Sequence, residues 1–212
     1  MKNIFAIGDI HGTFDKLVAL MEKIEVQIDF DNDLLVFMGD YIDRGPRSFE
    51  VVEYLINLKK QCQNIIFLKG NHEDMLEKYL SGPDKYTYLV NGGQQTLESY
   101  LEQSKPGAPP IPSDHLDFFG SLVLFYETDD YIFVHAGLRE NLPLQMQSPD
   151  DMLWIRTEFI QSDYDFGKRV IFGHTPFAEP FVTPTKIGID TGAVYGNDLT
   201  CVKLPALEFY SV

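Results

Sequence analysis

Cysteine is scarce in this sequence, which excludes proteins that depend on a disulfide framework. Only Cys62 and Cys201 occur in 212 residues, and neither lies in a CxxC pair. Two cysteines are too few for such a framework. We therefore predict that both act as small apolar side chains rather than as metal ligands, and we expect a reducing, cytoplasmic location.

Basic residues and long apolar runs are also in short supply. The chain has 17 lysines and arginines against 32 aspartates and glutamates, a formal net charge of −15. A surface this acidic repels nucleic-acid backbones, so extended nucleic acid is not an expected partner. No apolar stretch approaches the roughly 18 residues of a transmembrane helix, and no membrane association is expected. A phosphate-containing substrate would need local positive charge, for which bound metal ions are the natural source.

Apolar periodicity alternates between strand and helix patterns in the first part of the chain. The runs "KNIFAIGD", "DLLVFMGD" and "NIIFLKGN" predict strands, each followed by apolar residues at helical spacing. This alternation favours a layered α/β fold with parallel strands. Further along, "VLFYETDDYIFVHAG" predicts a hairpin and "DMLWIRTEFI" is amphipathic. The length suits one core, so we predict a single domain over residues 1–212.

Several predicted strands end alike, passing from apolar residues into glycine or alanine and a polar side chain. The polar residues at these ends are Asp9, His11, Asp40, Asp43, Arg44, Asn71, His72, His135 and His174. Ligands bind beyond the carboxyl ends of strands in open α/β sheets, so these side chains should meet. A Gly-Asp pair alone usually marks a turn, but turn chemistry does not explain why four of the five histidines lie at strand ends. We expect the fifth, His115, to be a surface residue at a helix start.

Carboxylate, imidazole and amide groups without thiolate suit Mn, Fe or Zn. The pattern offers enough ligands for two divalent ions, and Mn is the ion we favour. The candidates are Asp9 and His11 for one ion, Asn71, His135 and His174 for the other, and Asp40 as a bridge. Two ions about 3.5–4 Å apart clamp the attacking and leaving oxygens of a phosphoryl group. Arg44 and Arg156 would add positive charge for a phosphate.

His72 follows Asn71 directly, so we expect its ring to lie beside the metals rather than to bind one. A protonated imidazole there can donate to a departing alkoxide, which leaves poorly without a proton. Asp43 can orient that ring and favour its charged form. The alternative for Asp43 is a turn residue or a partner of Arg44.

The blocks "GDIHG", "GDYIDRG", "GNHE", "FVHAG" and "FGHT" resemble, in this order, the signatures of the phosphoprotein phosphatase family of metallophosphoesterases. Within this family the sequence resembles the compact bacterial and phage serine/threonine phosphatases. The resemblance implies a calcineurin-like α/β (α+β) fold of two packed mixed β-sheets flanked by helices. It also implies a phosphomonoester hydrolase, a serine/threonine protein phosphatase, in which a hydroxide activated by a dinuclear metal centre attacks phosphorus in line.

The same resemblance implies roles for individual residues. It implies metal ligands at Asp9, His11 and Asp40 for one ion, and at Asp40, Asn71, His135 and His174 for the other. It implies His72 as general acid, Asp43 behind it, and Arg44 on the phosphate. The segment "LWIRTEF" is similar to one that carries a second phosphate-binding arginine, here Arg156; the alternative is a surface helix charge paired with Glu158.

Other positions keep two interpretations. "GIDTGAVYG" is similar to a family segment beside the site, where Asp190 and Tyr195 would support or line the pocket, or it is a strand with a glycine-rich turn. Glu73 can simply favour the N-terminus of its helix. The loops at 103–113 and 138–151 are candidates to gate the pocket.

Three substrate hypotheses follow. A phosphorylated protein or small phosphoester is the main one. The alternative enzyme is a symmetrical bis(5'-nucleosyl)-tetraphosphatase, since these enzymes share nearly all of the metal-binding motifs with the phosphatases. The motifs "DRG" and "NHE" favour the serine/threonine phosphatases. The third is a non-catalytic module that binds a phosphorylated ligand; His72 argues against it, because a binding module has no need of a proton donor.

Overall fold

The computed structural model describes residues 3–82, 85–107 and 109–212, and strands and helices alternate through these ranges. The strands are β1 (Ile4–Ile7), β2 (Leu34–Phe37), β3 (Ile65–Phe67), β4 (Phe125–Glu127), β5 (Tyr131–Val134), β6 (Arg169–Phe172), β7 (Phe181–Val182), β8 (Lys186–Gly188), β9 (Thr200–Leu204) and β10 (Glu208–Ser211). The helices are α1 (Phe14–Glu25), α2 (Ser48–Gln61), α3 (Asn71–Ser81), α4 (Tyr86–Tyr88), α5 (Gln94–Gln103), α6 (Ser113–Gly120), α7 (Pro149–Trp154) and α8 (Thr157–Gln161). A π-helical turn (Leu89–Gly93) joins α4 to α5, and 3-10 turns cover Leu144–Met146 and Ala193–Tyr195.

The strands form two five-stranded sheets, and both sheets are mixed. The first has the order β10-β9-β1-β2-β3, with β1, β2 and β3 parallel and β9 and β10 antiparallel to their neighbours. The second has the order β4-β5-β6-β8-β7, with three parallel strands between antiparallel edges. Two mixed sheets flanked by helices confirm the predicted architecture, and the pairing of β4 with β5 confirms the predicted hairpin.

Alternate side chains of β1 pack against opposite layers, which explains why the whole strand is apolar. Ala6 belongs to a buried cluster between the sheets that includes Ile171 of β6. Phe5 belongs to a separate cluster with Leu17 of α1 and Val52 of α2. The two sheets therefore pack face to face with helices outside them, and the carboxyl ends of both sets of parallel strands are left free to carry functional loops.

The amphipathic segment "DMLWIRTEFI" forms two short helices rather than one. Helix α7 ends at Trp154 and α8 begins at Thr157, and Arg156 between them has non-helical angles of φ −130° and ψ −94°. The predicted loop 138–151 contains the 3-10 turn and the first residues of α7. The loop 103–113 runs from the end of α5 to the start of α6, with position 108 outside the described residues. A gating role for either loop stays a prediction.

The prediction that His115 lies at the surface is wrong. Its side chain is 0% exposed, because α6 packs against α2 and α5. Tyr100 Oη lies 2.8 Å from His115 Nδ1, and Glu53 Oε2 lies 3.0 Å from Nε2. The ring also stacks on Phe49 at 4.8 Å between centroids. His115 is therefore a packed core histidine whose two nitrogens both have partners.

Both cysteines are buried, as their predicted role as small apolar side chains requires. Cys62 follows α2, and Cys201 lies in β9, between β10 and β1 of the first sheet. Within the described ranges, no helix combines the length and the apolar character needed to cross a membrane.

Candidate metal centre and catalytic site

The six predicted metal ligands lie together where strands of both sheets end. Asp9 and His11 follow β1, Asp40 follows β2, Asn71 follows β3, His135 follows β5 and His174 follows β6. All six side chains are buried, and the most accessible, His174, is 4% exposed. The structure thus brings side chains from distant parts of the chain to one place, as the strand-end pattern predicts.

Asp40 occupies the centre of this group. Its Oδ2 lies 3.4 Å from His11 Nε2 and 4.0 Å from His72 Nε2, and its Oδ1 lies 3.4 Å from His135 Nε2. Asp40 belongs to two sets of side chains spaced to hold a metal ion, one with His11 and His72 and one with His135 and His174. This shared position is the one that a bridging carboxylate needs.

Several polar atoms in the group are buried without a partner. Within the described residues, Asp9 Oδ1, His72 Nε2 and His174 Nε2 have no hydrogen bond. Buried polar atoms in folded proteins nearly always have one. The other oxygen of Asp9 accepts a hydrogen bond of 2.9 Å from the His174 backbone amide, so the carboxylate is held with Oδ1 available. These donors fit a site that holds cations.

The histidine rings are oriented by backbone carbonyls. His11 Nδ1 lies 2.9 Å from the Ile42 carbonyl oxygen, and His135 Nδ1 lies 2.8 Å from that of Met38. A carbonyl only accepts, so each Nδ1 donates and each Nε2 is directed toward Asp40. Metal-binding histidines typically donate their second ring N–H in this way.

Burial keeps two of the imidazoles neutral. It lowers the pKa of His11 to about 3, and with the nearby charge of His135 it lowers the pKa of His174 to about 2. A neutral ring has a lone pair for a cation. Burial acts in the same direction on His135, but the Asp40 carboxylate raises the pKa of His135 to about 10. The acidic field that retains this proton is also the field that attracts a divalent cation.

The buried carboxylates need positive charge. Burial opposes ionisation of Asp40, but the imidazoles of His135 and His72 hold its pKa well below the usual range. Burial and the neighbouring Asp190 carboxylate raise the pKa of Asp9 well above its usual value. A nearby cation stabilises the ionised form of a carboxyl group that is buried beside another carboxyl group.

The turns that carry the ligands use backbone conformations that are usual for glycine. His11, Asp40 and His174 have φ values of 48°, 52° and 64°. Non-glycine residues adopt this region at an energetic cost, and such residues cluster at functional sites. A Cβ on Gly70 would lie 2.1 Å from Asp40 Oδ1, so the block "GNHE" needs its glycine for the strand ends to meet.

His72 and Asp43 form the predicted pair. His72 Nδ1 lies 2.7 Å from Asp43 Oδ2, and both side chains are fully buried. The ring lies beside Asp40 with its Nε2 unpartnered among the described residues, the position required of a proton donor. Asp43 also has a φ of 72°, which fits a turn residue, and its side chain pairs with His72 rather than with Arg44.

Two residues that the sequence analysis missed hold Asp43 in place. Its Oδ1 accepts hydrogen bonds from Tyr88 Oη at 2.8 Å and from Thr96 Oγ1 at 2.7 Å. Both donors are buried and come from the segment around α4 and α5. Nothing in the local sequence distinguishes them, because their contact with Asp43 exists only after this segment packs over the strand ends.

Glu73 does more than favour the start of α3. Its Oε2 accepts hydrogen bonds of 3.0 Å from the backbone amides of Asp40 and Gly70, and its Oε1 accepts one of 2.8 Å from that of Tyr41. Burial and the Asp40 charge raise the pKa of Glu73 to about 7. This carboxyl therefore ties the loop after β2 to the loop after β3.

Arg44 lies against the ligand group. Its Nη1 is 2.6 Å from His11 Nε2, and its guanidinium carbon is 5.7 Å from the centre of the Tyr195 ring. The backbone of Arg44 has φ 68° and donates to the Gly92 carbonyl at 3.1 Å. The predicted phosphate-binding arginine is thus at the edge of the site, between buried ligands and solvent.

Arg156 also lies near the ligands, at the break between α7 and α8. Its Nη1 is 3.5 Å from Thr175 Oγ1, next to His174, and its charge contributes to the low pKa of that histidine. Arg156 and Glu158, both described, form no ion pair. The suggested pairing with Glu158 is therefore not formed, but Arg156 is exposed at the start of α8, so its phosphate-binding role stays a prediction.

Asp190 and Tyr195 occupy different environments. Asp190 is buried, accepts the Gly192 amide at 2.9 Å and lies close enough to raise the pKa of Asp9. Tyr195 is 61% exposed, beside Arg44. The segment is thus a glycine-rich turn and also lines the site.

Comparison with known proteins identifies the family to which this sequence is similar. Residues 2–203 match the family described as calcineurin-like phosphoesterase. The bis(5'-nucleosyl)-tetraphosphatase PrpE (asymmetrical) of Bacillus subtilis is 29% identical, with 97% of this chain and 92% of that protein covered. The enzyme of the same name from Oceanobacillus iheyensis is 31% identical, with 97% and 90% covered.

A solved structure supports the fold. A crystal structure of a protein provisionally named as a diadenosine tetraphosphatase aligns with a TM-score of 0.77 at 24% identity. The alignment covers 100% of this chain and 93% of the other. At this identity the likeness is evidence for the fold alone.

We expect Asp40→Asn to lower the affinity for Mn(II) by more than about 100-fold, because even the partners of metal ligands contribute 10- to 100-fold. Asparagine keeps an oxygen for the His72 backbone amide, which donates to Asp40 Oδ1 at 3.1 Å, so the fold should persist. Titration calorimetry measures the affinity for Mn(II), and circular dichroism shows whether the fold is retained. Asp129→Asn, in the exposed turn between β4 and β5, is the control. Unchanged affinity in Asp40→Asn would contradict the bridging role.

We expect Tyr88→Phe to lower the free energy of unfolding by about 1.5–3 kcal/mol, the usual value of a hydrogen bond to a charged group. The variant removes one of the two side-chain hydroxyl donors to Asp43 Oδ1 and keeps the ring. Urea denaturation gives the difference. Tyr79→Phe is the matched control, because its ring packs 5.0 Å from that of Tyr88. Equal losses in the two variants would show that the hydroxyl of Tyr88 has no special role.

Proposed function

The chain belongs to the calcineurin-like phosphoesterase family, and on that premise we propose that it hydrolyses dinucleoside tetraphosphates asymmetrically. Family membership confirms the predicted metallophosphoesterase and its fold, and the protein is a metal-dependent hydrolase of phosphoester bonds. The proposed reaction adds water across one phosphoanhydride bond and releases a nucleoside monophosphate and a nucleoside triphosphate.

The observation that supports metal-dependent hydrolysis is the convergence of buried oxygen and imidazole ligands on Asp40. Two divalent ions, Mn in the first place and Fe or Zn otherwise, would be held by Asp9, His11 and Asp40 on one side and by Asp40, Asn71, His135 and His174 on the other. When bound, they supply Lewis acidity to the phosphoryl group and lower the pKa of water.

The chain's own residues supply the remaining chemistry. Arg44 lies beside His11 and Arg156 lies near His174, where both can bind the oxygens of a phosphate. His72 donates a proton to the leaving oxygen from Nε2, while Asp43 holds the ring through Nδ1. These arginines place local positive charge in a molecule with a net charge of −15.

The substrate follows from the relatives rather than from the metal ligands. The sequence analysis favoured phosphorylated proteins, with symmetrical tetraphosphatases as the alternative. Relatives that align over 97% of this chain, at 29% and 31% identity, are instead named asymmetrical bis(5'-nucleosyl)-tetraphosphatases. This supports a small dinucleotide over a protein, and an unequal over an equal division of the phosphate chain.

A phosphoprotein phosphatase is the second candidate, and the buried pair of His72 and Asp43 favours it. A serine alkoxide leaves poorly without a proton, so a positioned acid matters for a phosphomonoester. A nucleoside triphosphate is a far better leaving group and depends less on that acid.

We expect the protein with Mn(II) to convert diadenosine tetraphosphate to AMP and ATP, with kcat/KM at least tenfold above that for a phosphoserine peptide. Chromatography of the products separates this from symmetrical cleavage, which gives two ADP. Asp40→Asn is the inactive control. Two ADP, or faster hydrolysis of the peptide, would overturn the substrate assignment.

We expect His72→Asn to reduce kcat by about 10²–10⁴-fold on alkyl phosphates, the usual contribution of a general acid. With 4-nitrophenyl phosphate the loss should be much smaller, because nitrophenolate leaves without a proton. Steady-state rates on both substrates test this. Equal losses would count against the acid role.

A further inference from the structure

Next to the metal centre lies an open pocket that the roles above do not use. Its volume is about 410 Å³, within the range of small-molecule sites. It is lined by Arg44, Val90, Asn91, Gly92, Gln95, Val194 and Tyr195. We propose that this pocket binds the nucleobase of the substrate, with Tyr195 as the stacking platform. The proposal rests on the proposed function and adds the part of the substrate that sets specificity.

Arg44 connects the pocket to the metal centre. At one end its guanidinium lies 2.6 Å from His11, and its other atoms form the pocket wall against Gly92. A Cβ on Gly92 would lie 2.7 Å from Arg44 Cγ, and the backbone there has φ 103°. The residue is glycine because the arginine passes so closely. A phosphate bound by Arg44 therefore has the pocket directly beside it.

Tyr195 presents its ring to solvent on a fixed support. The ring is 61% exposed, while the short turn that carries it lies between Gly192 and Gly196, which have φ values of 76° and 96°. The Tyr195 amide donates to the Gly192 carbonyl at 2.9 Å, and Asp190 holds the Gly192 amide. An exposed aromatic face on a held backbone suits stacking of a base, which tolerates any base identity.

The other residues that line the pocket suit a nucleobase, which is neutral and flat and has polar groups at its edge. Val90, 58% exposed on the π-helical turn, and Val194 supply apolar surface, and Asn91 and Gln95 bring amides to the rim. Arg44 is the single charged residue among the described residues that line the pocket, and none of them is a carboxylate. In so acidic a protein, this lining does not repel a nucleotide.

The test compares AMP with ribose 5-phosphate, which differs by the base. With Mn(II) present, titration calorimetry should give a dissociation constant for AMP at least fivefold below that for ribose 5-phosphate. Tyr195→Ala should weaken AMP by about 5- to 100-fold, the fold-change equivalent of base stacking on an aromatic ring, and leave ribose 5-phosphate within twofold. Tyr195→Phe should retain the preference, as should Tyr164→Ala, an exposed tyrosine outside the pocket.

The binding assay does not depend on turnover, so the two proposals fail separately. A preference for AMP that Tyr195→Ala abolishes supports the base site even if diadenosine tetraphosphate is not cleaved. Equal affinities for AMP and ribose 5-phosphate in the unmodified protein, or a preference that survives Tyr195→Ala, would overturn the base site even if the dinucleotide is cleaved.

Discussion

Asp40 has an ionised carboxylate that is buried away from water, and the neighbouring groups offset the free-energy cost of that burial. Burial alone would protonate this acid, whereas the imidazoles of His135 and His72 hold its pKa well below the usual range. A backbone amide contributes as well, since the His72 amide donates to Asp40 Oδ1. Burying an ionised carboxylate costs free energy, and a cation bound beside Asp40 would offset that cost.

The same requirement shapes the backbone. Side chains from both sheets reach one point only if the turns after the strands are sharp, and His11 and His174 therefore adopt left-handed conformations. The close approach of Gly70 to Asp40 shows how little space remains. Rigid strands position these turns, and hydrogen bonds between the turns, such as those from the Ile10 and His11 amides to the Asp40 carbonyl, hold them against one another.

The site separates three tasks in space. In the proposed function, the side chains around Asp40 would hold the cations that bind the reacting phosphate. His72, paired with Asp43, which Tyr88 and Thr96 hold, would protonate the leaving oxygen. In the further proposal, the pocket beside Arg44 would bind the base, which takes no part in the reaction. Closely similar metal centres can therefore act on different phosphoesters, because the residues that select a substrate lie outside the ligands.

The sequence determined most of the strands and the polar residues that follow them. Continuous apolar runs specified buried strands, and parallel strands of one sheet end at the same edge, so the residues within each sheet were expected to lie close together. That the edges of the two sheets meet at one site was decided by their packing. Contacts between remote segments followed no such local rule. Only the tertiary structure shows that His115 is buried, that Tyr88 and Thr96 bond to Asp43, that Glu73 links two loops, and that the amphipathic segment is divided at Arg156. Apolar periodicity in the sequence indicates which face of a helix or strand is buried. A hydrogen bond between segments far apart in the chain depends on how those buried faces pack against one another. The tertiary structure decides this packing.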